Sequence, residues 1–375
     1  MEKVRLGDIV DTIQGSQYPV DEQIYIRKEG YERFLRISDY TKINEPERFV
    51  KYTGKELMCT EEDVVVVRYG NIGSIGIGKA GILANNLFAL KKKGNKDIIS
   101  KYIYYFLRSK KINNVLVNKA NSSTMPALTH KMIKELEISI YTKELEIKIV
   151  KELDKVQEII DLRKKQIEQL DKLSKSQFVE LFGNISEYER LENYAVLITK
   201  GASPKWQGIN YQNDGTLFVT SENVREGFVD ISKPKYLDNK INEILPRSIL
   251  KRDDILINIV GASIGRAAKY DYDYLANINQ AVALVRTQNI NNIFLLTYLN
   301  SDEAIKMYDD MKKGGARENL SLKNIADLRI PKASMELQNQ FADIVKQIDK
   351  QKFILEKSLK KLEEMQESLM NKYFE

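Results

Sequence analysis

Gly76, Gly78 and Gly81 spell GxGxxG, and the overlapping run from Gly73 to Lys79 spells GxxxxGK, two spacings that cradle phosphates when a glycine loop opens a helix. The context argues against both. The residues after Gly81, ILANNLFAL, read as a strand, and Ala80 stands where a phosphate loop needs a magnesium-binding hydroxyl. A hairpin turn is the expectation. His130 is the single histidine, so a hydrolase triad, a zincin or a general-base histidine must use it or do without, and its setting, PALTHKMIKEL, reads as an ordinary helix start. The single cysteine, Cys59, excludes a disulfide framework and a zinc cluster. The seven prolines are never adjacent, which leaves no Pro-Pro-Tyr loop to hold a flipped adenine. The nearest imitation of a nuclease carboxylate cluster, around Glu146 and Lys148, falls in a helical stretch. No catalysis is expected of this chain, and no metal site.

The elements that would position these residues come in two copies. EEDVVVVRYGNIGSIGIG, Glu61 to Gly78, has a counterpart in KRDDILINIVGASIGRAAK, Lys251 to Lys269, with Asp63 matching Asp254 and Gly70 matching Gly261. The second copy keeps the turn and loses both phosphate spacings. A strand opening with asparagines follows each, from Leu83 and from Ala276, and then an aromatic, helix-like stretch. Asn121 to Ile140 parallels Gly314 to Pro331, with Leu128 matching Leu320 and Leu136 matching Leu328.

A long proline-free helix closes each copy, from Thr142 and from Ser334, with apolar residues spaced as an a/d seam. The order is globule, helix, globule, helix: 1–141, 142–182, 183–333 and 334–375. Pairing the seams makes the helices antiparallel, and about 40 residues at ~1.5 Å each gives a spacer of roughly 60 Å. The fold class is α/β (α+β), with two homologous globules. At 375 residues more than one core is expected. The net charge of +6 and pI near 8.9 lean toward an acidic partner such as nucleic acid. The single cysteine, the absence of a signal-like N-terminus and the absence of a long apolar run suggest a cytoplasmic protein.

This order of parts resembles the specificity subunit of type I restriction-modification enzymes over essentially the whole chain. The resemblance is carried by LGDIVDTIQG at Leu6 and LENYAVLITKG at Leu191, by FLRISDYTK at Phe34 and LFVTSENVREG at Leu217, by DDILINIVGASIGRAA, and by the Asn-Gln of ANINQAVAL. The first copy departs from it at ANNLFAL, where Leu87 or Phe88 replaces Gln280. The resemblance implies two target recognition domains, each reading half of a split, asymmetric site in double-stranded DNA, with the helix pair setting the gap. It also implies two methyltransferase subunits and restriction subunits as partners, which would hold S-adenosylmethionine, ATP and magnesium, while this chain holds no cofactor.

Arginine, asparagine and glutamine read base edges and aromatics stack or wedge, so loop residues of these types are the DNA-binding candidates. They are Gln17, Tyr18, Arg27, Arg36, Tyr40 and Arg68 in the first globule, and Lys205, Trp206, Asn223, Arg225, Asn258 and Arg266 in the second. Apolar residues beyond the seams, namely Phe178, Leu181, Phe353, Met365, Met370, Tyr373 and Phe374, are the partner-docking candidates. The competing readings are an enzyme using the Gly73 to Gly81 loop on a nucleotide, and a coiled-coil scaffold for protein partners without DNA reading.

Overall fold

Val64–Val67 has no polar face, which suits a strand covered on both sides. In the computed structural model, which describes residues 2–42, 45–56, 58–94, 98–121, 126–312 and 319–374, this run is a strand with every side chain buried. The chain divides into two compact units, Met1–Lys165 with Glu356–Glu375, and Gln166–Leu355. Within the paralleled stretches, residues 122–125 and 314–318 lie outside the described residues, while the matched Leu128 and Leu320 lie inside.

The first unit contains β1 (Glu2–Arg5), β2 (Val10–Gln14), β3 (Tyr31–Leu35), β4 (Phe49–Lys51), β5 (Met58–Cys59), β6 (Val64–Val67), β7 (Ile75–Gly76), β8 (Gly81–Leu83), β9 (Leu87–Lys92) and β10 (Glu137–Ile140). They form sheets ordered β2-β9-β6-β7 and β4-β3-β8-β5 and a separate pair, β1-β10. The second unit contains β11 (Tyr188–Arg190), β12 (Ala195–Lys200), β13 (Tyr211–Gln212), β14 (Thr216–Val219), β15 (Gly227–Phe228), β16 (Tyr236–Leu237), β17 (Ile255–Asn258), β18 (Ala267–Lys269), β19 (Ala276–Ile278), β20 (Val282–Thr287) and β21 (Arg329–Pro331). Its sheets run β12-β20-β17-β18-β15, β13-β16-β14-β19 and β11-β21. The repeat therefore extends to strand order. The parallel pairing of β3 with β8 recurs as β14 with β19.

Register fixes which residues correspond. Val64 faces Leu90 and Val67 faces Leu87, while Ile255 faces Val285 and Asn258 faces Val282. Leu87 thus corresponds to Val282, and the partner of Gln280 is Asn85. The expected replacement by Leu87 or Phe88 is corrected by the ladder, because both of those side chains are buried strand residues. The aspartates before β6 and β17 do the same work in both units. Asp63 accepts from the backbone N–H of Thr60 at 2.7 Å, and Asp254 from that of Lys251 at 2.7 Å, closing the turn that starts the strand. Each also meets a cation from the neighbouring strand, Lys91 at 3.5 Å and Arg286 at 2.8 and 2.7 Å. Gly70 and Gly261, in the turns that follow, sit at φ 86° and 87°, where a side chain is strained.

The long helices span Lys143–Phe182 and Met335–Phe374, each giving one part to each unit. Partner numbers fall as the first helix advances. In the first unit the Tyr373 hydroxyl donates to Glu152 at 2.6 Å, Gln366 donates to Gln157 at 3.0 Å, and Lys164 meets Glu363 at 3.2 Å. In the second unit Asp171 meets Lys352 at 2.5 Å and the Phe178 ring lies 5.4 Å from that of Phe341. The pairing is antiparallel within each unit, as the seams require. No described helix is long and apolar enough to cross a membrane.

Of the seven expected docking residues, Phe178 and Met370 are buried core, and Leu181, Tyr373 and Phe374 are half-buried against their own unit. Phe178 stacks on Phe294 and Tyr298, and Leu181 packs against the same cluster. Met370 is 6% exposed, and Phe374 lies on Tyr102 and Phe106 in the first unit. Tyr373 is bonded to Glu152, as above. The reason is that the end of each long helix closes a globule as well as pairing with its neighbour, so apolar residues outside the seam are consumed there. Phe353, at 67%, and Met365, at 44%, remain exposed.

Candidate nucleic-acid interface

At one end of the first unit's β2-β9-β6-β7 sheet, three connections converge. Gly15 N–H donates to Leu87, Arg68 N–H donates to Asn86, and Leu128 N–H donates to Arg68. Polar side chains gather around them. Gln14 Oε1 lies 3.3 Å from His130 Nε2, Gln14 Nε2 donates to the Asn85 carbonyl at 3.4 Å, Tyr69 donates to Asn85 Oδ1 at 3.3 Å, and Asn85 Nδ2 donates to Gln17 at 3.5 Å. These bonds are long and mostly exposed, so water or a ligand edge can replace them at little cost.

His130 opens the short helix His130–Lys134, whose N-cap Thr129 accepts from Met132 N–H at 3.3 Å. The helix start expected from the sequence is there. The imidazole lies 4.9 Å from the Phe88 ring, and partial burial, then the charges of Arg68 and Lys134, hold its pKa below the ordinary histidine value. A neutral ring is favoured, with one nitrogen able to accept. Arg68 Nε is buried without a hydrogen-bond partner among the described residues.

The second unit builds the same sheet end from different residues. Ile259 N–H donates to Ala281 and Leu320 N–H donates to Ile259, reproducing the Arg68 connections. Gly201 repeats Gly15: an added Cβ would lie 1.6 Å from the Ile278 carbonyl oxygen at Gly201, and 2.2 Å from that of Ala84 at Gly15. Lys200 stands before Gly201 as Gln14 stands before Gly15, Gln280 replaces Asn85, and Ile259 and Leu322 replace Arg68 and His130. Lys200 and Gln280 are exposed.

Of the residues expected from the sequence, Gln17 and Arg68 lie at this end in the first unit. Lys205 and Trp206 stand exposed on the turn that follows Gly201, and Arg266 lies half-buried after the β17–β18 turn. Arg27 is exposed and pairs with Glu32 at 3.0 Å, and Arg225 is exposed with its Nε 3.7 Å from Asp230. The others are held inside their own units. Tyr18 donates to Glu56 at 2.6 Å with its ring edge on Phe34, and burial raises its pKa. Arg36 binds Asp39 at 3.0 Å and the Pro46 carbonyl at 2.7 Å. Tyr40 packs over Gly76, where a Cβ would lie 2.1 Å from its ring. Asn223 accepts from Thr220 N–H at 2.9 Å and donates to the Asp230 carbonyl at 2.9 Å. Asn258, 0% exposed, donates to the Ser221 carbonyl and Ser263 Oγ. Such committed amides serve the turns first.

Sequence reasoning did not bring together Gln14, Tyr69, Asn85 and His130 at the first unit's sheet end, nor Lys200 and Gln280 at the second unit's. The available signal was the polar residue immediately before the glycine in DTIQG and LITKG. The Gly73 to Gly81 run leads into strand β8 and opens no helix, so its amides do not form a phosphate-binding helix start.

The sequence model of the family described as "Type I restriction modification DNA specificity domain" matches residues 1–172 and 208–364. The type I restriction enzyme MjaVIII specificity subunit of Methanocaldococcus jannaschii is 25% identical over 394 residues, covering 99% of this chain and 91% of that protein. The EcoBI specificity subunit of Escherichia coli is 23% identical over 354 residues, covering 86% and 74%. Among solved structures, a chain of a type I R-M system studied for complex assembly and conformational transition superposes with a TM-score of 0.62 at 18% identity, covering 100% of this chain and 97% of that one. The S subunit from M. genitalium gives 0.57 at 19%, covering 100% and 96%.

Proposed function

The chain belongs to the type I restriction-modification DNA specificity family, as a specificity subunit with two target recognition domains, and from that premise we propose that its two sheet ends each read one half of a split, asymmetric DNA site. One observation carries this reading. Equivalent backbone connections in the two units carry different side chains, Gln14, Arg68, Asn85 and His130 in one and Lys200, Gln280 and the half-buried Leu322 in the other, where the Arg68 position is taken by the buried Ile259. Glutamine and asparagine pair bidentately with adenine and arginine with guanine, so unlike sets select unlike half-sites.

The helix pair sets the gap between the half-sites. Methylation and cleavage fall to two methyltransferase subunits and to restriction subunits, with S-adenosylmethionine, ATP and magnesium bound there and none of them by this chain. Exposed Phe353 and Met365 are the remaining docking candidates for those partners on the helices. Lys205, Arg27, Arg225 and Arg266 are proposed as phosphate contacts, because cations outside the base-reading sets position without selecting.

Phosphate contact has a thermodynamic signature in counterion release. For these four contacts, the affinity of the assembled complex for duplex DNA is expected to fall roughly 10²-fold between 50 and 200 mM salt. Anisotropy titrations at several salt concentrations measure this. An affinity independent of salt contradicts the proposed electrostatic contact.

A further inference from the structure

The chain has a single tryptophan, and it is displayed rather than packed: Trp206 is 85% exposed. Its mount is firm. It stands on the 3-10 turn Pro204–Gln207, and the turn is fixed at both ends by burial, Pro204 on one side and Ile209, packed with Phe218, Leu237 and Ile241, on the other. Backbone bonds from Trp206 N–H to Ser203 and from Ile209 N–H to Pro204 hold it, and Gly208 ends it at φ 68°. Gly201, pressed against the Ile278 carbonyl, ties the base of the turn to the strand that leads into Gln280. The tryptophan therefore rises beside the proposed base-reading end of the second unit.

The cations of this segment suit a nucleic acid as the occupant. From Ala195 to Gln212 the chain carries Lys200 and Lys205 and no acid, while the packed helix Ile241–Ile244 contributes Glu243 and Gln212 donates to Asp238 at 3.4 Å. The first unit offers an internal comparison, because Val20–Glu22 is also a 3-10 turn and Val20, 75% exposed, stands the same distance beyond Gly15 as Trp206 stands beyond Gly201. That turn carries Asp21 and Glu22, which repel phosphate, and a small aliphatic side chain. The turn in the second unit therefore carries a large exposed aromatic with neighbouring cations, and the corresponding turn in the first unit carries neither.

We propose that Trp206 inserts against a base step in the half-site read by the second unit, unstacking it, so that DNA deformation is one-sided. This rests on the DNA-reading function proposed above. A rigid indole gains stacking area without ordering a flexible side chain, and unstacking a step admits closer contact by the neighbouring polar residues. It also adds selectivity for deformable pyrimidine–purine steps that no hydrogen bond reads.

As the only tryptophan, Trp206 is its own probe. The full chain is titrated with a duplex bearing the site found by methylation mapping, with 2-aminopurine placed at successive positions of each half-site and binding followed by anisotropy. The expected result is quenched tryptophan emission, protection from acrylamide, and a several-fold rise in 2-aminopurine emission at one step of one half-site. Trp206→Ala should abolish the rise and weaken binding about tenfold, with Trp206→Phe in between. Binding with unchanged tryptophan and 2-aminopurine emission overturns the wedge and leaves DNA reading standing. Protection of Trp206 by partner subunits without DNA overturns it in favour of a protein contact. Failure of the wild-type chain, alone and with its partners, to bind the duplex removes both.

Discussion

Replacing Asp254 by alanine lowers the stability of the second unit by about 3–5 kcal/mol, the cost of leaving one partner of a buried ion pair alone. Its side chain is 1% exposed, takes two bonds from Arg286, and closes the turn at Lys251 N–H, so three donors lose their acceptor at once. Arg286 is 25% exposed in its side chain and donates also to the Ile249 carbonyl, which limits how far the freed cation can turn to water. The equivalent Asp63→Ala should cost less, because Lys91 approaches only to 3.5 Å and keeps its own bond to the Met58 carbonyl at 2.8 Å, so the hydrogen bond lost is the one from Thr60 N–H. Pairing Asp254→Ala with Arg286→Leu removes the orphan charge and should recover part of the loss. Denaturant unfolding of the full chain, followed by a probe in each unit, measures this. Equal losses for the two aspartates, or no recovery in the double variant, would refute the assigned roles.

Gly201→Ala is expected to abolish adenine methylation by the assembled complex. The added Cβ would meet Ile278 O at 1.6 Å, its carbonyl carbon at 2.4 Å and Asn279 N at 3.0 Å. These are backbone atoms of a strand paired with Val219, so no side-chain rotation relieves the contact. The relief must come from moving the turn that presents Gln280, at a cost of about 1–3 kcal/mol. A split site needs both halves read, so disturbing one end should silence the whole site. Gly208→Ala is the control: it meets no atom within 4 Å and is strained only through φ 68°. Methylation that survives Gly201→Ala at the wild-type rate would mean that this sheet end does not present the reading residues.

The duplication was readable because it left the same residues at the same intervals. Asp63 and Asp254 each close a turn with their carboxylates, and the long helices, expected at 142–182 and 334–375, span Lys143–Phe182 and Met335–Phe374. The cation opposite each aspartate was not readable, since Lys91 and Arg286 lie across the sheet, and residue type alone does not reveal cross-strand pairing. Two of the docking candidates are buried for a related reason. Periodicity shows that Phe178 and Met370 face something apolar, and it does not show that the cover is a globule core rather than a separate protein. Loop polarity misled in the same way, because Asn223 and Asn258 are polar residues spent on their own turns. The surface proposed to read DNA became visible only when strand register brought Gln14, Asn85 and His130 together from distant segments.

Methylation mapping by single-molecule sequencing, with and without this gene and in otherwise identical cells, tests the central claim most directly. The account predicts N6-methyladenine at one split, asymmetric site that vanishes on deletion and returns with the gene, and a site changed in one half only when Gln14, Asn85 and His130 are replaced together. A methylation pattern unchanged by deletion would contradict it.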